Sequence, residues 1–149
     1  MKIAFTVEGE PRGKERPRFG SRQVYTPDKT TTYENQIKIA YYEQCGNVKF
    51  PEDSQLELFV TAYYKIPKSA SKEKKAAMLS EQIRPTKKPD GDNILKVVAD
   101  ALNGVCYKDD KNLVSMSIEK FYSDMPRIEV TVQEAVITDE NDSSEMMRE

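Results

Sequence analysis

The spacing of hydrophobic positions changes along the chain, and each change marks an element. Ile3, Phe5 and Val7 alternate with Ala4, Thr6 and Glu8, the period-two pattern of a half-buried strand. Residues 11–22, PRGKERPRFGSR, are punctuated by Pro and Gly, which predicts no regular structure there. Tyr25-Thr-Pro-Asp28 reads as a helix start. From there Tyr33, Ile37, Ala40 and Tyr41 recur at helical spacing, with Gly46 as the stop. Residues 55–65, QLELFVTAYYK, read as a second strand. SKEKKAAMLSEQI, residues 71–83, reads as a short exposed helix with Ser71 as its cap and Glu73 in its first turn. RPTKKPDGD interrupts it, and a helix with Ile94, Val97, Val98 and Ala101 on its buried stripe runs on to about Asn103. Residues 112–122 and the run from Arg127 alternate again. Their separation by Ser123-Asp-Met-Pro126 predicts a hairpin. No internal repeat is visible. This order predicts one α+β domain over residues 1–137, a small mixed sheet of about four strands flanked by about three helices.

Composition changes the picture mainly by what is missing. The chain has 149 residues, enough for one domain with a core that needs no staple, and it contains no histidine. That excludes a Ser-His-Asp or Cys-His nucleophile and histidine-ligated zinc. Acid–base or metal chemistry falls to Asp, Glu, Lys, Tyr or water. Cys45 and Cys106 form no paired-ligand motif and read as reduced, buried thiols. MKIAFTVEG is too short an apolar run for a signal peptide, and no segment approaches the ~18 apolar residues of a membrane span. The expectation is a cytoplasmic protein with no membrane partner and no organic cofactor.

The formal net charge of −2 conceals an asymmetry. Residues 138–149 hold five acidic residues against Arg148 alone, and this polar, aromatic-free tail reads as disordered. Residues 11–22 hold Arg12, Lys14, Arg16, Arg18 and Arg22 against Glu15. Residues 65–96 hold nine basic residues against four acidic ones. An acidic total therefore leaves room for a polyanionic partner.

The candidate chemistry lies in KKPDGDNILKVVADALNGVCYKDD, residues 87–110. Asp90 and Asp92 open a helix. Asp92, Lys96 and Asp100 step by four along one of its faces. Asp109 and Asp110 open the next strand. Two pairs of carboxylates at loop junctions can meet at one point, and such oxygen-rich sites suit Mg²⁺ or Mn²⁺. Three structural readings compete: Asp90 or Asp92 as a helix cap, Asp92–Lys96–Asp100 as a ladder of surface ion pairs, and Asp109-Asp110 as an ordinary turn.

Lys88-Pro-Asp-Gly-Asp-Asn-Ile-Leu-Lys96, Asp100-Ala-Leu-Asn-Gly104 and Tyr107-Lys-Asp-Asp110 together resemble the RusA family of Holliday junction resolvases, which includes many phage and prophage members. Gly9-Glu-Pro-Arg-Gly-Lys14-Glu-Arg16-Pro-Arg18 is similar to that family's basic loop after the first strand, and Tyr25-Thr-Pro-Asp-Lys-Thr30 with Tyr33-Glu34 to the element after it. The similarity spans most of residues 3–133. It implies that Asp90, Asp92 and Asp110 are catalytic and metal-binding and that Lys96 is the catalytic lysine, with Asp109 the alternative to Asp110. It further implies a homodimer that binds four-way DNA junctions and makes paired nicks with Mg²⁺, or Mn²⁺, in DNA recombination and repair.

In that mechanism the carboxylates hold one or two divalent ions that activate a water, since no histidine is present to act as base. Lys96 sets a positive charge beside the reacting phosphate. The products are a 5′-phosphate and a 3′-hydroxyl. Lys14, Arg16, Arg18 and Arg22, with Arg84, Lys87 and Lys88, are the expected DNA-backbone contacts. The alternatives are a metal-dependent nuclease for flaps or forks, and a non-catalytic junction-binding protein whose aspartates only cap a helix. Tyr41-Tyr42 and Tyr63-Tyr64 read as packing residues, with base stacking as the other reading.

Overall fold

A computed structural model describes residues 1–15, 18–19, 24–25 and 28–136. In chain order the elements are β1 (Lys2–Glu8), β2 (Arg18–Phe19), β3 (Val24–Tyr25), α1 (Asp28–Cys45), β4 (Leu56–Lys65), α2 (Lys72–Leu79), α3 (Gly91–Ala101), β5 (Leu113–Ser123) and β6 (Arg127–Glu134). Strands β1, β4, β5 and β6 form one mixed sheet in the order β1-β6-β4-β5. The α+β class, the sheet and the three helices agree with the periodicity. The chain between β1 and α1 does not: a two-residue antiparallel ribbon, β2 with β3, sits where no regular structure is predicted.

Alternation supplies the core. Leu56, Leu58, Val60, Ala62 and Tyr64 of β4 face inward beside Ile3, Phe5 and Val7 of β1 and Ile128, Val130 and Val132 of β6. Helix α1 covers them with Tyr33, Ile37 and Tyr41, and α3 with Ile94, Val97, Val98 and Ala101. The Tyr41 hydroxyl donates to the Val48 carbonyl and that of Tyr107 to Ala99, so these buried rings carry satisfied polar ends. Of the two tyrosine pairs, Tyr41 and Tyr64 are core residues, while Tyr42 is exposed and Tyr63 half-buried on the outer face.

The predicted β5–β6 hairpin is not formed. β4 lies between the two strands, parallel to β5 and antiparallel to β6. The connection Asp124-Met-Pro126 passes over the end of β4, and the Arg127 guanidinium closes it by donating to the Met125 carbonyl at 2.8 Å. The cause is burial: β4 hides every second residue from position 56 to 64, so it takes the centre, where both its edges are hydrogen-bonded.

The free edge of β1 is closed by a side chain. Gln44 of α1 accepts from the Thr6 amide at 2.9 Å and donates to the Thr6 carbonyl at 2.7 Å, as a neighbouring strand would. Helix α2 starts as expected, with Ser71 Oγ accepting from the Lys74 amide at 3.2 Å. It ends four residues sooner than predicted, because Glu81 turns to φ 69° and breaks the ladder. Among the described residues, no helix is long and apolar enough to cross a membrane.

Candidate active site

Helix α3 opens where the chain turns off the end of the sheet. The Tyr64 hydroxyl, from β4, donates to the Pro89 carbonyl and fixes the turn. Gly91 then brings the helix against β5, where an added Cβ would lie 3.1 Å from Ile118 Cγ2. Asp90 occupies the N-cap position with extended backbone, φ −71° and ψ 149°, yet its side chain makes no capping bond. The helix-cap reading of Asp90 is therefore not realised, and its carboxylate is left exposed beside that of Asp92 in the first turn. The amide dipoles at a helix start favour negative charge at both positions.

The chain after β1 folds back onto this turn. The Lys14 amide donates to the Asn93 carbonyl at 2.9 Å, and the Glu15 amide to Thr30 Oγ1 at 3.2 Å. Gly13 permits the approach, since a Cβ there would sit 2.8 Å from Asn93 Cβ and 3.1 Å from Pro89 Cβ. Between loop and helix lies an open cavity of about 670 Å³, lined by Arg12, Lys14, Lys88, Asp90, Asp92 and Asn93 among others. Asp90, Asp92 and Lys88 thus line the helix side and Arg12 and Glu15 the loop side of a space large enough for a phosphodiester.

Lys14 does not project freely into that space. Its ammonium lies 2.6 Å from Glu34 Oε1 and 3.3 Å from Asp100 Oδ2, mostly buried. Burial lowers its pKa, but the hydrogen bond and charge of Glu34, followed by those of Asp100, outweigh this and leave it raised. This contact also takes Asp100 out of the expected ladder. Among the described residues Lys96 pairs with neither Asp92 nor Asp100, and it is exposed.

Asp109 and Asp110 divide their roles at a single 3₁₀ turn, Asp110–Asn112. The Asp109 carboxylate accepts from the Lys111 amide at 2.9 Å, and Asn112 Oδ1 receives the Asp109 amide at 3.4 Å, a reciprocal capping box. Hydrogen bonding to the Lys111 amide lowers the Asp109 pKa. A hydrogen bond to Asp109, then burial and the charges of Asp109 and Asp100, raise that of Asp110. Asp109 is a structural cap; the Asp110 carboxyl takes no part in that cap and is paired with Asp109.

A profile of the endodeoxyribonuclease RusA family matches residues 8–133. The chain belongs to that family. It is also 36% identical over 138 residues to the uncharacterized protein YqaN of Bacillus subtilis (strain 168), an alignment covering 89% of this chain and 96% of that one. The family match spans the basic loop, the α3 turn and the Asp109-Asp110 pair together.

For a RusA-family chain, the placement of the third carboxylate is the notable feature. The sequence suggests that both aspartate pairs converge, but a single chain does not bring them together. Asp110 lies electrostatically beside Asp100, in the last turn of α3, whereas Asp92 is eight residues earlier, roughly 12 Å along the axis at 1.5 Å per residue. Among the described residues no three carboxylates or thiols are grouped closely enough to hold a metal ion. One chain by itself thus fits two carboxylate ligands, Asp90 and Asp92, and not the full set.

The other expected contacts fall into three groups. Lys88 is exposed and lines the cavity, and Lys87 is exposed next to it in the chain. Arg84 stacks on the Phe121 ring at 4.1 Å, donates to the Lys120 carbonyl at 2.8 Å, and lies 3.4 Å from Glu119. Arg18 lies in β2, while Arg16 and Arg22, like residues 138–149, fall outside the described residues. Arg12 and Asn93 line the cavity without having been singled out by the sequence. Arg12 had a signal, its place in the basic loop; Asn93 had none beyond adjacency to Asp92.

Proposed function

We propose that this chain is a structure-selective endodeoxyribonuclease that nicks four-way DNA junctions as a homodimer in the cytoplasm, using Mg²⁺ or Mn²⁺, in DNA recombination and repair. The observation that carries the reading is the uncapped Asp90–Asp92 pair at the start of α3, opening into a cavity whose opposite wall carries Arg12. In a family of endodeoxyribonucleases, acidic and basic groups facing each other across a phosphate-sized space suit hydrolysis of a phosphodiester. A divalent cation there would lower the pKa of an attacking water and neutralise phosphate charge, a task no histidine in this chain can take. Asp90 and Asp92 would hold the cation. Arg12 and Lys88 would orient the strand by its phosphates, and Lys96, one turn beyond Asp92 and without an ion pair among the described residues, would supply positive charge to the scissile group. The expected products are a 5′-phosphate and a 3′-hydroxyl.

Because Asp110 stands at the opposite end of α3, a site using all three aspartates takes Asp90 and Asp92 from one subunit and Asp110 from its partner. A twofold dimer then carries two such sites, one for each equivalent strand of a junction. The test is to mix two inactive variants, Asp90→Asn and Asp110→Asn, after co-refolding. In the mixed dimer one site carries both substitutions and the other carries none, so Mg²⁺-dependent nicking of a synthetic junction returns at one strand per dimer. If both sites were built within single chains, every site would remain damaged and nothing would return. Linear duplex, flap and fork substrates run in parallel identify the preferred DNA. Nicking of flaps in preference to junctions would favour the broader branched-DNA reading. Binding with no nicking by the unmodified protein would leave a non-catalytic junction binder.

A further inference from the structure

Beside the candidate active site lies a second depression of about 210 Å³, sharing Pro11, Lys88 and Pro89 with the larger cavity. Its floor is the Tyr64 ring with the two prolines. Around it stand Lys65, Lys87 and Lys88, against a single acidic residue, Glu10. All three lysines are exposed, and among the described residues none has a carboxylate within ion-pair distance.

The walls are fixed from several directions. Lys65 is the last residue of β4, the central strand. The Lys87 carbonyl accepts from Lys120 Nζ at 2.8 Å, and the Lys87 ammonium stands 5.7 Å from the centre of the Tyr122 ring. The floor is held by the Tyr64–Pro89 hydrogen bond that also positions Asp90. Three cations against one carboxylate around this depression repel each other in the free protein, and an anion relieves that repulsion.

We infer that this depression seats a DNA backbone phosphate flanking the scissile one, with Lys65 as its principal new ligand, so that the strand leaves the Asp90–Asp92 cavity over Lys88 toward the end of β4. The inference rests on the nuclease reading above and extends it from the reacting phosphate to the path of the strand. Like other backbone contacts, this one positions the DNA and carries no base information.

The test is binding without catalysis. Anisotropy of a labelled four-way junction and of a linear duplex, in chelator, gives the slope of log affinity against log salt between about 50 and 200 mM. One lost phosphate contact lowers that slope by about 0.9. Lys65→Gln should lower it by that amount, with affinity falling several-fold. Lys65→Arg should restore most of it, and Glu10→Gln should tighten binding. Lys75→Gln, an equal charge change on α2, serves as the control with the parental slope. A parental slope for Lys65→Gln, or an equal loss for Lys75→Gln, would overturn the inference. Absence of nicking by the parental protein, with the Lys65 effect intact, would instead count against the nuclease reading alone.

Discussion

Lys14 of the basic loop joins Glu34 of α1, at 2.6 Å, to Asp100 of α3, at 3.3 Å. One ammonium thereby ties three segments together behind the Asp90–Asp92 turn. A residue expected to touch DNA is instead placed to position the loop that carries Arg12. Lys14→Met keeps the stem and removes the charge, leaving two part-buried carboxylates facing each other. Urea unfolding should show a loss of about 1–3 kcal/mol, largely recovered in Lys14→Met/Glu34→Gln. The pH dependence has a defined sign. Folding raises the Lys14 pKa above 10.5, so the bridge contributes fully below that value and is lost as pH rises through the folded pKa. The gap between parent and Lys14→Met should therefore narrow only above pH 10.5.

The two adjacent aspartates at the start of β5 should respond differently. Asp109→Ala removes a cap and should lower the melting temperature. Asp110→Asn removes a charge that Asp109 and Asp100 already disfavour, so its melting temperature should hold or rise. Nicking should behave the other way round, collapsing in Asp110→Asn and surviving in part in Asp109→Ala. Single-turnover rates measured beside melting curves separate the two effects.

Lys96 is exposed, and its neighbours on the helix make no ion pair with it. Lys96→Ala should consequently change stability by no more than a few tenths of a kcal/mol. Single-turnover nicking should slow by about 10²-fold or more, as when an oxyanion donor is lost, with Lys96→Arg recovering only part of the rate. A folded Lys96→Ala protein that nicks at the parental rate would remove this lysine from the mechanism.

The Tyr33 hydroxyl is buried and finds no hydrogen-bond partner among the described residues, although the Arg12 amide lies near it without meeting hydrogen-bond geometry. Burial pushes its pKa up to about 12. Tyr33→Phe deletes only that oxygen, so the melting temperature should stay the same or increase. A fall corresponding to more than about 1 kcal/mol would reveal a polar contact that the hydroxyl depends on.

Asp90→Asn and Asp92→Asn should each abolish nicking while junction affinity in chelator holds or improves, since negative charge near the phosphates is removed. Because Asp90 makes no capping bond, its substitution should leave the urea midpoint close to parental. A collapse of stability in Asp90→Asn would return it to a structural role.

Much of this protein is legible in its sequence because much of it is local. Alternation placed β1, β4, β5 and β6, and helical spacing placed the buried faces of α1 and α3, because side-chain direction follows from backbone period alone. The Asp90–Asp92 and Asp109–Asp110 pairs, at the ends of those elements, were readable on the same grounds. Which strands are neighbours was not. Two adjacent alternating runs look like a hairpin, and only competition for the buried centre of the sheet puts β4 between them. The fates of individual charges were equally hidden. Lys14 and Arg12 look alike in a basic loop, yet Lys14 is committed to Glu34 and Asp100 while Arg12 lines the cavity. Asp110 lies close in sequence to the end of α3 and therefore far in space from Asp92 at its start. Charges interact through space, and distance across a fold is set by helix length and packing, which no residue pattern encodes locally.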